Sequence, residues 1–118
     1  DGIPDLRGRP HPRLFGTFPR VLGHYVRKRG VLTLEEAVRR MTGLPAQTFG
    51  LRDRGRLGPG AWADLVLFDP ATVIDRARFD NPIQTSAGIG MVAVNGEIVW
   101  SDGAATDARP GRALRRAA

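Results

Sequence analysis

Three observations predict an α+β fold whose helices and strands are segregated along the chain. Apolar residues recur at helical spacing between residues 17 and 42, a continuous apolar run stands at 65–68, and an Asn-Gly pair at 95–96 separates two short strand-like runs.

The chain opens on DGIPDLRGRPHPRLFGTFPR, which holds four prolines, four arginines, three glycines and one histidine and shows almost no periodicity. This reads as a loop. The stretch TFPRVLGHYVRKRG then reads as a helix, with Thr17 as its cap and Pro19 in the first turn, where N–H groups lack partners anyway. Phe18, Val21, Leu22, Tyr25 and Val26 form one apolar stripe. Arg27, Lys28 and Arg29 suit the negative end of the helix, and Gly30 suits its stop. In the second helix Thr33 and Glu36 stand in capping-box spacing. Leu34, Ala37, Val38 and Met41 make its buried face, and Gly43 ends it. Pro45 begins a short third helix through Phe49, closed by Gly50.

The character changes near residue 50. LRDRGRLGPGAW is glycine-rich and cannot be a long helix. No Lys or Ser and no helix follow Gly55, Gly58 and Gly60, so they are not a phosphate loop but a tight entry into a strand. Leu65 to Phe68, fixed between Asp64 and Asp69, fit a strand covered on both faces. Residues 70–88 read as loop. GMVAVNGEIVWSDG supplies two strands around Asn95-Gly96, a strong signal for a two-residue hairpin. From Asp102 onward the chain is small, polar and basic, and a poorly anchored tail is expected. Three strands make a thin sheet, as in a piece of something larger.

A chain of 118 residues suits one domain. No apolar run approaches a membrane span, and no charged-then-apolar leader follows Asp1. Without an initiator methionine, a processed or partial chain is expected. The absence of cysteine fits a reducing compartment, so a cytoplasmic location is expected, with no membrane partner. The net charge of +6 raises the question of nucleic acid. All but one of the 18 basic residues are Arg, and they are interrupted by Pro, Gly and apolar helix positions rather than interleaved with aromatics. We expect no nucleic-acid partner; a basic nucleic-acid-binding module is an alternative, as is a purely structural docking segment.

The run from Gly55 to Asp69, G-x-L-x-P-G-x-x-A-D-L-V-x-x-D, followed by V-N-G-x-x-V at Val94 to Val99, resembles the C-terminal end of amidohydrolase-superfamily enzymes. DG followed by HPRLFGTFPRVLGHYVR, and the closing PGRALR, are similar to the N-acyl-D-amino-acid deacylase (D-aminoacylase) family. The resemblance implies the last part of a metal-dependent (β/α)8 barrel followed by strands of a small β-sandwich. Residues 1–50 would then be the strand-8 loop and terminal helices of the barrel, 51–103 part of the sandwich, and 104–118 a basic C-terminal tail. The implied reaction is zinc-dependent removal of the acyl group from N-acyl-D-amino acids. The substrate and the remainder of the barrel and sandwich are the expected partners. A hydrolase of cyclic amides, hydantoinase-like, is the nearest rival.

By the same resemblance Asp1 closes the eighth barrel strand as catalytic carboxylate and metal ligand. Arg13 matches the arginine expected to take the substrate carboxylate, for which a guanidinium fork offers paired hydrogen bonds. His11, stiffened between Pro10 and Pro12, is placed in the same pocket. Arg7, Arg9 and Arg20 compete with Arg13 for that role, and His24 reads as a surface residue. The family's other zinc ligands have no counterpart in this chain, so tight zinc binding and activity by these residues alone are not expected.

Overall fold

The computed structural model describes residues 8–114. Their elements run α1 (Arg13–Arg20), a π-helical segment (Val21–Lys28), α2 (Leu34–Met41), α3 (Gly43–Phe49), β1 (Leu65–Phe68), β2 (Ile89–Val94), β3 (Glu97–Ser101) and β4 (Ala104–Ala105). The α+β expectation holds: helices come first and a four-stranded sheet follows. None of the described helices is long and apolar enough to cross a membrane. The residues fall into two compact units. One comprises the described residues up to Leu34 with Asp69–Gly88; the other comprises Glu35–Phe68 with the described residues from Ile89 onward.

In the first unit the leading helix begins earlier than its sequence suggests. Pro12 already has helical dihedrals (φ −52°, ψ −25°), as its ring favours, and Leu14 and Phe15 donate back to the His11 and Pro12 carbonyls. Thr17 is therefore not a cap. It lies inside α1, where its hydroxyl donates to the Arg13 carbonyl at 2.6 Å. Just beyond Pro19, which has no N–H, the helix widens into the π segment. Arg29 N–H closes it on the His24 carbonyl, and Gly30 stops it at φ +59° as expected.

The face this helix buries within the unit is lined by Gly16 and Gly23 together with Leu22, the one residue of the apolar stripe that is buried. A Cβ on Gly23 would stand 2.4 Å from the Val73 carbonyl oxygen and 2.5 Å from Ile74 Cδ1; one on Gly16 would stand 2.9 Å from Asp75 Cβ. The 73–77 segment thus lies directly on the helix, with Val73, Ala77 and Leu22 buried. Phe18 and Tyr25, also of the apolar stripe, are exposed. Residues 70–88 are loop apart from one antiparallel bridge, Ile74 to Ala87. Arg27 supports this loop by donating to the Pro70 and Val73 carbonyls at 2.9 and 2.7 Å.

In the second unit Ala37 and Ala46 are buried on α2 and α3, and Gly50 closes α3 at φ +72° as expected. Gly43 does not end α2; it starts α3 after a break at Thr42. The strands form an antiparallel sheet in the order β1-β2-β3-β4. Asn95 and Gly96 (φ +51° and +85°) make the expected hairpin between β2 and β3. Asp102 and Gly103 (φ +53° and +80°) repeat it between β3 and β4. Among the described residues, the chain after Asp102 is consequently anchored rather than loose. It adds β4, and Thr106 donates through its amide to Val99 and through its hydroxyl to Ile98. The strand expected to be covered on both faces, β1, is not covered: Val66 and Leu67, on opposite faces, are 54% and 62% exposed.

Candidate functional site

The His-Pro-Arg turn lies at the head of α1. His11 is exposed, and its Nδ1 accepts the Arg13 backbone N–H at 3.1 Å. The imidazole thus satisfies one of the helix's unpaired N-terminal donors, as a capping side chain does. On its other side the ring meets Phe79 edge-on, with centroids 5.0 Å apart. His11 thus meets Arg13 through the backbone N–H of Arg13 and not through its guanidinium. Asp1 and Arg7 lie outside the described residues.

Arg13 is exposed, and its guanidinium has no hydrogen-bond or ion-pair partner among the described residues. Its competitor Arg20 is committed: it pairs with Asp75 at 3.2 Å, and that carboxylate raises the guanidinium's pKa. Many of the chain's other arginines are also occupied internally. Arg27 holds the 70–73 carbonyls, Arg39 and Arg40 clasp Glu36, Arg54 pairs with Asp64, and Arg109 donates to Thr106 and Ala108. Several of the chain's arginines are thus paired within the fold, although Arg20, Arg39 and Arg40 stay about half exposed. Arg20 and His24 also line an open groove of about 460 Å³ with Lys28, Arg76, Arg78 and Gln84.

The carboxylates are similarly engaged. Asp69 accepts the Ala71 amide and the Thr72 hydroxyl, which lower its pKa and close the turn after β1. Burial pushes the Asp64 carboxyl up, but the Asn95 amide and the Arg54 guanidinium outweigh it and leave the pKa lowered. Asn95 links this network onward: its Oδ1 accepts from Arg54 at 2.6 Å and its Nδ2 donates to the Pro110 carbonyl at 2.7 Å. Arg54 and Arg112 each lie over the Trp62 ring. The Ala-Asp-Leu, Val-Asn-Gly and Pro-Gly-Arg stretches are thereby joined to one another, a structural role that the sequence reading did not assign to them. Among the described residues no group of three His, Cys, Asp or Glu side chains is placed to hold a metal ion, so these residues do not by themselves fit the implied zinc.

Comparison with known proteins follows the same lines. The family model described as "Amidohydrolase family" matches residues 8–100. The chain is 57% identical to a D-aminoacylase of Alcaligenes xylosoxydans xylosoxydans over 118 residues, covering 100% of this chain and 24% of that protein. A crystal structure of D-aminoacylase, an enzyme with a binuclear metal centre, superposes with a TM-score of 0.90 at 58% identity, covering 92% of this chain and 23% of that one. An N-acyl-D-glutamate deacylase from Bordetella bronchiseptica, solved with zinc and a phosphonate mimic of the tetrahedral intermediate, gives 0.85 at 58% identity, covering 91% and 22%. The chain thus spans about a quarter of the length of the relatives it matches. With the family model matched from the His-Pro-Arg turn through the β2–β3 hairpin, this chain belongs to the amidohydrolase family.

Proposed function

We propose that this chain works as the closing part of a longer zinc-dependent deacylase that hydrolyses the amide of N-acyl-D-amino acids. The observation that carries the reading is the Arg13 guanidinium, free among the described residues at the head of α1 and within the stretch that resembles the deacylases. A free fork can take both oxygens of the substrate's carboxylate at once. His11 caps the turn that presents it, and Asp1 is assigned the proton-carrying carboxylate of the site. The metal is assigned to ligands beyond residues 8–114, in keeping with the absence of a ligand cluster among them.

The packing supports a part rather than a whole. Besides Pro82, the buried apolar side chains among the described residues are Leu22, Ala37, Ala46, Val73, Ala77 and Ala93, four of them alanines, and Val66 and Leu67 are exposed on opposite faces of β1. We assign the covering of β1 and of Phe18 and Tyr25 to the remainder of a barrel and a β-sandwich. A cytoplasmic location is part of the proposal, on the absence of cysteine. The test is hydrolysis of N-acetyl-D- and N-acetyl-L-amino acids by the full-length protein with and without chelator. Metal-dependent turnover of the D series is expected; turnover indifferent to chelation, or none, would end the proposal.

A further inference from the structure

Phe79 is 75% exposed, although it belongs to a stretch whose backbone is well tied. Arg78 and Asn81 exchange backbone hydrogen bonds at 3.0 and 3.2 Å, and the Gln84 side-chain amide donates to the Arg76 and Asn81 carbonyls at 3.1 and 3.0 Å. The exposed ring is therefore presented by an ordered loop. Its ring contact is with His11, edge-on at an interplanar angle of 80°, the arrangement aromatic quadrupoles favour.

His11 is thereby fixed from two sides, by the Phe79 ring and by the Arg13 N–H on its Nδ1. With Nδ1 accepting, the neutral imidazole carries its proton on Nε2, and the ring can turn only by giving up the cap. A continuous path therefore leads from the 78–84 loop through two rings to the amide of Arg13. Arg13 gains nothing comparable from its own side chain, whose fork has no partner among the described residues.

We infer that Phe79 is a positioning residue for substrate binding: by bracing the His11 ring it holds the turn from which Arg13 meets the substrate carboxylate. This rests on the reading of Arg13 given above. It extends the site to a segment, residues 78–84, that lies outside the motifs carrying the family resemblance.

The experiment is steady-state kinetics of the full-length protein on an N-acetyl-D-amino acid, comparing Phe79→Ala, Phe79→Tyr, His11→Asn and the Phe79→Ala/His11→Asn pair. Asn at 11 keeps an acceptor for the Arg13 N–H but removes the ring. Phe79→Ala is expected to raise KM about three- to tenfold with kcat little changed, from the size of an edge-to-face aromatic contact. Phe79→Tyr should restore KM, and the double variant should be no worse than the worse single one. An unchanged KM in Phe79→Ala, no rescue by Tyr, or effects that multiply in the double variant would each overturn the inference. Arg13→Lys is run alongside. If it leaves KM untouched, the reading of Arg13 falls; if it raises KM while Phe79→Ala does not, only the bracing role falls.

Discussion

The Ser86 hydroxyl donates to the Phe15 carbonyl at 3.4 Å, and Phe15 is the residue whose carbonyl loses its helical donor to Pro19. An i→i+4 bond to Phe15 requires an N–H at 19, which proline lacks. Ser86 supplies a replacement from the far side of the loop. Ser86→Ala is expected to cost about 0.5 kcal/mol, the lower end of a hydrogen bond's usual net worth, because this one is long. In a Pro19→Ala background, where the helix can supply its own donor, the same change should cost less. Thermal unfolding of the full-length protein and these three variants measures the difference; equal costs would remove the link.

Gly23 should be among the least replaceable glycines. Its missing Cβ is occupied by the Val73 carbonyl oxygen, which is backbone and has little room to yield. Gly23→Ala is expected to lose roughly 1–3 kcal/mol, as overpacking does. Gly111→Ala, which meets nothing within 4 Å, should leave the melting temperature unchanged. Similar melting temperatures for the two variants would show that helix and loop do not pack as described.

Asp64 predicts a response to acid. Its folded pKa lies below the ordinary 3.8, so the unfolded state takes up the proton first as pH falls. The contribution to stability is complete above 3.8 and disappears as pH drops through the lower folded value. Glu36, held at about 2 by Arg39 and Arg40, acts in the same direction. Asp64→Asn should be less stable than the parent at neutral pH, and the gap should close in acid. A gap that stays constant between neutral pH and pH 2 would contradict this.

What could be read from the sequence was the local chemistry. Gly30, Gly50 and the Asn95-Gly96 turn were legible because each needs a backbone conformation that few residues supply. Asp102-Gly103 carries a turn signal of the same kind, but the small, polar residues that follow read as tail and hide β4. The true start of the first helix is hard to read because Pro12 and a capping histidine are weaker signals than Thr17. Its covered side is only partly marked by the apolar stripe, for a different reason. Apolar periodicity marks a face that wants covering, but Gly16 and Gly23 mark the face that 73–77 actually covers. In the site, Arg13 was named by resemblance. Phe79 had no sequence signal, because its contact with His11 joins residues far apart in the chain.

The bare strand β1 makes a prediction about the 118-residue chain on its own. With Val66 and Leu67 exposed on opposite faces of an edge strand, the isolated chain should self-associate. Val66→Lys together with Leu67→Lys should suppress this. Light scattering or sedimentation decides; a monodisperse parent chain would show that β1 needs no cover.

The claim on which the account depends is that Arg13 holds the carboxylate of an N-acyl amino acid. It is tested most directly by kcat/KM of the full-length protein and its Arg13→Lys variant, on an N-acetyl-D-amino acid and on the same compound with its carboxylate converted to the amide. The account predicts that the parent strongly prefers the acid and that Arg13→Lys loses about ten- to a hundredfold on it, from hydrogen bonds to a charged group, with little change on the amide. Equal losses on both compounds, or none on the acid, would contradict it.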